Sequence, residues 1–162
     1  ETGARIGFFT RNPPLMRVFR ARIEAAFAKR NLDPAKHLVF LPVQNHADYL
    51  AGIARSPLVL DSPWFSGGGT SLDAFSVGTP VLAWEGAMAR GRQTSAMLRM
   101  LEIPELIATD EDDYIARAVA LMREPARREA LRETIRTRQA RLFDDAAAVR
   151  AFADFLVSVR AV

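Results

Sequence analysis

The stretch that decides the fold is residues 58–80, LVLDSPWFSGGGTSLDAFSVGTP. Leu58, Val59 and Leu60 form a short apolar run with room for a buried strand. Pro63 ends it, because proline has no N–H with which to continue a ladder. Ser66 is followed by Gly67, Gly68 and Gly69, a loop with no side chains to keep a ligand from the backbone. Thr70 is expected to open a helix, with Asp73 one turn on and Gly78 and Pro80 as its stop.

A strand, a glycine loop and a helix start, in that order, make an anion site. The first N–H groups of a helix have no partner inside it, and the helix dipole puts partial positive charge there. Three glycines let a phosphate come close. Thr70 and Ser71 add hydroxyl donors. Asp73 shares a helix face with Thr70. A carboxylate there repels phosphate but accepts hydrogen bonds from the two hydroxyls of a ribose, so a nucleoside diphosphate suits the arrangement. The other reading of the same residues is a tight turn, with Thr70 and Asp73 as a capping box.

Composition limits the alternatives. The chain has 162 residues, enough for one domain that buries roughly 70% of its unfolded surface. Hydrophobic residues make up 49% and charged residues 25%, ordinary values for a globular chain. There is no cysteine, so disulfides, thiolate metal sites and a cysteine nucleophile are excluded. His37 and His46 are the only histidines, which argues against a multi-histidine metal site. The net charge is +3, and arginine supplies all the basic residues except Lys29 and Lys36. The arginines of residues 123–141 are interleaved with Glu124, Glu129 and Glu133, the pattern of a solvated helix face rather than a nucleic-acid footprint. No run approaches the ~18 apolar residues of a membrane span. No signal peptide is visible, and a cytoplasmic protein is expected. The chain does not begin with methionine and is expected to be a piece of a longer one.

The rest of the chain alternates. Strands are expected at residues 5–10, 37–43, 58–61, 80–84 and 105–108. Helices are expected at 15–30, 46–55, 70–77, 93–101, 110–123, 126–141 and 144–160. The strands are apolar throughout rather than alternating, so both sheet faces should be covered. The fold class expected is α/β, a doubly wound parallel sheet forming a single domain over 1–162, with the last helices packed at its end. Ligands bind such sheets beyond the carboxyl ends of the strands. The loops after Val43, Asp61 and Trp84 all lie there.

Three stretches together resemble one family. LDSPWFSGGGTSLDAFSVGTPVLAWEG resembles the nucleotide-binding segment of the O-linked N-acetylglucosamine transferase (SPINDLY-like) family. That segment reads LDT-P, a Gly/His/Thr loop, a Thr-rich helix start, Asp, then G-x-P-V. Gly86 followed by Arg92 and a helix is similar to the family's next loop. LEIPELIATDEDDYIARAVALMREPARREALR is similar to its tail, where a leucine-glycine turn leads into ELIA and a Tyr-containing helix. The resemblance covers residues 39–141.

It implies the Rossmann-like C-terminal half of a GT-B glycosyltransferase that holds UDP-N-acetylglucosamine. The N-terminal catalytic half and its helical repeats hold a polypeptide acceptor. The sugar passes to Ser or Thr with inversion, and no metal is expected. Gly67, Gly68, Gly69 and Thr70 then fall at the diphosphate, with Ser71 beside them. Asp73 falls on the ribose, Gln44 on the uracil ring, His46 near the nucleoside, and Arg92 on the family's loop arginine. No catalytic residue is expected in this half. The chain departs from the pattern at Gly68 and Gly69, which replace donor side chains, and at Gly52, where animal members have an arginine. The alternatives are a non-catalytic nucleotide-binding or scaffold module of this fold, or another GT-B enzyme such as a sugar-nucleotide epimerase.

Overall fold

A computed structural model describes residues 2–10, 13–42, 45–143 and 145–160. It divides into two compact units, Glu1–Arg55 and Ser56–Val162.

In the first unit, strand β1 (Ile6–Thr10) leads to helix α1 (Pro13–Ala28) and short helix α2 (Pro34–His37). Strand β2 (Leu38–Pro42) and helix α3 (His46–Arg55) follow. β1 and β2 pair in parallel, with Ile6 opposite Leu38 and Thr10 opposite Pro42. Helix α1 takes Pro13 and Pro14 from the expected loop, because a first helical turn needs no N–H. It ends where Asn31 turns left-handed at φ 54°, with the N–H groups of Asn31 and Leu32 bonded back to Ala28 and Phe27. Helix α2 lies between the expected helix and strand, and Asp33 caps it by accepting the Ala35 N–H at 3.0 Å. The packing is aromatic. Phe8 meets Phe19 edge-on at 5.0 Å and stacks on Phe40 at 5.6 Å, and Phe9 meets Tyr49 edge-on at 5.0 Å. Gly52 lies under Phe9, where an added Cβ would stand 2.6 Å from the ring. That contact accounts for glycine at this position.

The second unit runs β3 (Val59–Leu60), α4 (Gly68–Ser76), β4 (Val81–Trp84), α5 (Gln93–Met100), β5 (Ile107–Ala108), α6 (Glu111–Arg123), α7 (Pro125–Arg138), α8 (Ala140–Phe143) and α9 (Ala146–Arg160). Two 3₁₀ turns, Ala89–Gly91 and Pro104–Leu106, precede α5 and β5. The strands pair in parallel in the order β3-β4-β5. All recorded pairings are therefore parallel, distributed over a two-stranded and a three-stranded ladder. Strand burial follows position in the ladder. Central β4 has Val81, Leu82 and Ala83 buried, whereas β1, one of only two strands, is half-buried to exposed rather than covered on both faces.

Phe75, Leu82, Leu98, Leu101, Leu106 and Ile135 have no exposed surface and form the core. Each such side chain contributes about 1.5–3 kcal/mol on burial. Helix α4 stops as expected: Gly78 is left-handed at φ 72°, its N–H bonds Phe75, and the Thr79 N–H bonds Ala74. Helix α5 ends the same way, but with Glu102 at φ 56°. Helix α6 is capped by Asp110, which accepts the Asp113 N–H at 2.9 Å. The expected helix over 126–141 breaks into α7 and α8. Helix α9 shows Val149, Phe152, Phe155 and Leu156 to solvent. Among the described residues, no helix is long and apolar enough to cross a membrane.

Candidate functional site

The glycine loop hangs from the end of β3. Asp61 is buried, and its two carboxylate oxygens hold the loop directly. Oδ1 accepts the Gly67 N–H at 2.7 Å, and Oδ2 accepts the Ser66 hydroxyl at 2.7 Å. The Asp61 carbonyl accepts the Tyr114 hydroxyl of α6 at 2.9 Å. Burial pushes the Tyr114 pKa up, with the charge of Asp61 adding to it, so the phenol keeps its proton. From the start of α5, the Thr94 hydroxyl lies 2.7 Å from that of Ser66 and 2.7 Å from that of Ser71, and the Thr94 N–H donates to Ser66 Oγ at 2.9 Å. Ser66, Ser71 and Thr94 are all buried.

Helix α4 begins at Gly68, two residues before the expected start, with Gly67 as its N-cap. Thr70 is therefore third in the helix, and the Thr70–Asp73 capping box does not form. The cause is Asp61: by fixing the Gly67 N–H from outside, it does the work of a cap side chain. The amides of the first turn divide cleanly. Gly67 donates to Asp61 and Gly68 to the Ser66 carbonyl at 3.0 Å. The N–H groups of Gly69 and Thr70 make no hydrogen bond among the described residues, and both residues are exposed. A Cβ at Gly69 would meet nothing within 4 Å. The helix start thus presents two open amide donors.

The next loop, after β4, packs backbone to backbone on the first. The Ser66 N–H donates to the Arg90 carbonyl at 2.8 Å. A Cβ on Gly86 or Gly91 would stand 2.5 or 2.8 Å from the Pro63 carbonyl oxygen, so glycine is required at both. Pro63, Trp64, Met88 and Arg90 wall a pocket of about 250 Å³. Trp64 and Phe65 are 76% and 70% exposed, with the Trp64 ring 6.1 Å from that of Trp84.

The expected site residues separate into groups. Gly69 and Thr70 offer donors. Gly67 and Gly68 shape the approach, but their amides are engaged. Ser71 is turned into the interior, onto Thr94, rather than toward a ligand. Asp73 lies one turn into α4, half-buried. Arg92 N-caps α5 and donates Nε to the Gly86 carbonyl at 3.0 Å, closing its own loop while the guanidinium stays exposed. His46, in the first unit, opens α3 with its ring 6.2 Å from that of Tyr49. Gln44 lies outside the described residues. Sequence reasoning missed Asp61, Ser66, Thr94 and Gln93, whose side chain lies against Gly68. Asp61 was legible as the acid closing an apolar run before the loop. Thr94 gave no signal, because its role depends on a neighbour 28 residues away.

The fold is α/β with parallel strands, Rossmann-like, and its glycine loop opens amide donors at a helix start. The chain belongs to glycosyl transferase family 41, whose sequence model matches residues 14–153. It is similar to a UDP-N-acetylglucosamine--peptide N-acetylglucosaminyltransferase of Caenorhabditis elegans, at 29% identity over 93 residues. That match covers 57% of this chain and 8% of the relative. A solved structure of a mutant Thermobaculum terrenum O-GlcNAc transferase superposes with a TM-score of 0.73 at 31% identity, covering 83% of this chain and 25% of that one. The chain thus spans a small part of the proteins it resembles.

Proposed function

We propose that this domain is the donor-holding half of a protein O-glycosyltransferase. It binds UDP-N-acetylglucosamine, and the sugar passes to a Ser or Thr hydroxyl of a polypeptide held by an N-terminal catalytic half and helical repeats. The observation that carries the reading is the pair of open, exposed amides at Gly69 and Thr70 in a family 41 member. As the bond to the sugar breaks, negative charge grows on the departing UDP. Fixed amide donors at a helix start stabilise that charge without reorganising. Asp73 accepts from the ribose hydroxyls one turn further on. Arg92 adds positive charge from the neighbouring loop. The transfer needs no metal on this reading, and this half supplies no base.

The test is calorimetry on the full-length protein with UDP, UDP-N-acetylglucosamine and GDP. UDP binding weakened about tenfold or more by Asp73→Ala is expected, one good hydrogen-bonded contact being worth that much. 2′-Deoxy-UDP should bind the wild type as weakly as UDP binds the variant. Absence of UDP binding to the wild type overturns the reading and favours a scaffold module.

A further inference from the structure

We propose that Thr94 is a positioning residue for the donor site, resting on the reading above: it closes a chain of buried hydrogen bonds that holds the glycine loop in its binding shape. The Ser66 hydroxyl shares its one hydrogen between Asp61 Oδ2 and Thr94 Oγ1, each 2.7 Å away. Thr94 Oγ1 in turn lies 2.7 Å from the Ser71 hydroxyl, where either of the two can be the donor. The chain thus links Asp61, Ser66, Thr94 and Ser71 through three contacts of 2.7 Å.

The network ties the stretch from Asp61 to Ser71 to a residue far along the sequence. Asp61 follows β3, Ser66 leads into the glycines, Ser71 lies in the first turns of α4, and Thr94 is in the first turn of α5. The Thr94 N–H adds a second grip on Ser66 at 2.9 Å. The need for such a lock follows from the loop itself. Gly67, Gly68 and Gly69 have no side chains to restrict them, and glycine has the most backbone freedom to lose. Amide donors aid a developing charge only when they already point at it. The restraint must come from outside the glycines, and the buried hydroxyls supply it. Ser71 thereby serves the site through Thr94 and not by touching the ligand. Thr94 does the same through Ser66.

The experiment uses the full-length protein and UDP as the probe. Thr94→Val keeps the shape and removes the hydroxyl. It should weaken UDP binding about tenfold or more, the scale on which small misplacements act. Thr94→Ser should restore binding. Both are measured at a temperature where circular dichroism shows native structure, so loss of stability alone does not move the result. Ser71→Ala should also weaken binding, but Ser71→Ala with Thr94→Val should be no worse than Thr94→Val alone. Unchanged UDP affinity in Thr94→Val overturns the inference while leaving the proposed function standing. Losses that add in the double variant overturn the chain by showing that Ser71 meets UDP directly. A wild type that does not bind UDP overturns both. If Thr94→Val does not fold, Ser71→Ala decides through hydrogen–deuterium exchange of the peptide carrying Gly67. Faster exchange supports the lock, and unchanged exchange overturns it.

Discussion

Glu85 and Arg99 form a two-pronged ion pair: Nη1 and Nη2 of Arg99 donate to Oε1 and Oε2 of Glu85 at 2.9 and 2.7 Å. The Arg99 hydrogen bonds, with the Ser95 hydroxyl at 3.1 Å, bring the Glu85 pKa down from 4.5 to about 2 against the opposing effect of partial burial. Glu85 directly follows β4 at its carboxyl end. A carboxylate so firmly ionised is a poor general base, since a useful base titrates near the working pH. It anchors α5 through Ser95 in its first turn and Arg99 in its last.

Glu85→Gln should therefore leave transfer by the full-length protein largely intact while lowering stability. The pair is half exposed on the Arg99 side, so the loss at neutral pH is about 0.2–1 kcal/mol. The pKa of Glu85 is lower in the folded chain than in the unfolded one. Its stabilisation is thus complete above about 4.5 and is lost as pH falls toward about 2. Urea midpoints of wild type and variant should differ at pH 7 and converge in strong acid. Abolished transfer in a folded variant would show that Glu85 does chemistry.

Gly69→Ala separates stability from binding. There is open space at its Cβ position and no positive φ to strain. Alanine should raise stability slightly, by no more than about 0.5 kcal/mol, through helix propensity. The same methyl group would stand where a phosphate approaches the open amides. A higher melting temperature with weaker UDP binding is the expected pair of results. Unchanged affinity would mean that the anion does not approach there.

Gly91→Ala should do the opposite and damage both. The added carbon would sit 2.8 Å from the Pro63 carbonyl, and backbone cannot swing aside as a side chain does. The two loops would be forced apart at a cost of about 1–3 kcal/mol. Thermal melts should show the loss, and UDP binding should fall with it.

Glu102→Gly should stabilise. Glu102 holds a left-handed turn at φ 56°, a conformation that glycine adopts without strain. Its ion pairs with Arg141 at 2.7 Å and Arg138 at 3.4 Å are exposed and contribute little. A melting temperature higher by a few degrees is expected. A lower one would mean that the arginine cluster, not the backbone, decides this turn.

The elements that depend on local pattern were legible in the sequence. Helix α3 begins and ends where the spacing of Tyr49, Leu50 and Ile53 puts it, and Asp110 caps α6 as its position before an acidic turn implies. Gly78 and Pro80 marked the stop of α4. The start of α4 was not legible. Thr70 has the form of a cap, but the carboxylate that fixes the true start comes from Asp61, on the other side of the loop. Thr94 was invisible for the same reason, and Ser71 was misjudged. Whether a hydroxyl faces a ligand or the interior depends on what the next helix brings beside it, and hydrophobic periodicity does not encode that.

The early start of α4 has a chemical corollary. A grip made from peptide nitrogens carries no titrating group of its own, unlike one built on imidazole or amine. An anion seated on Gly69 and Thr70 would be held alike in neutral and moderately alkaline solution, and any drift in its affinity there would belong to the guest and not to the host.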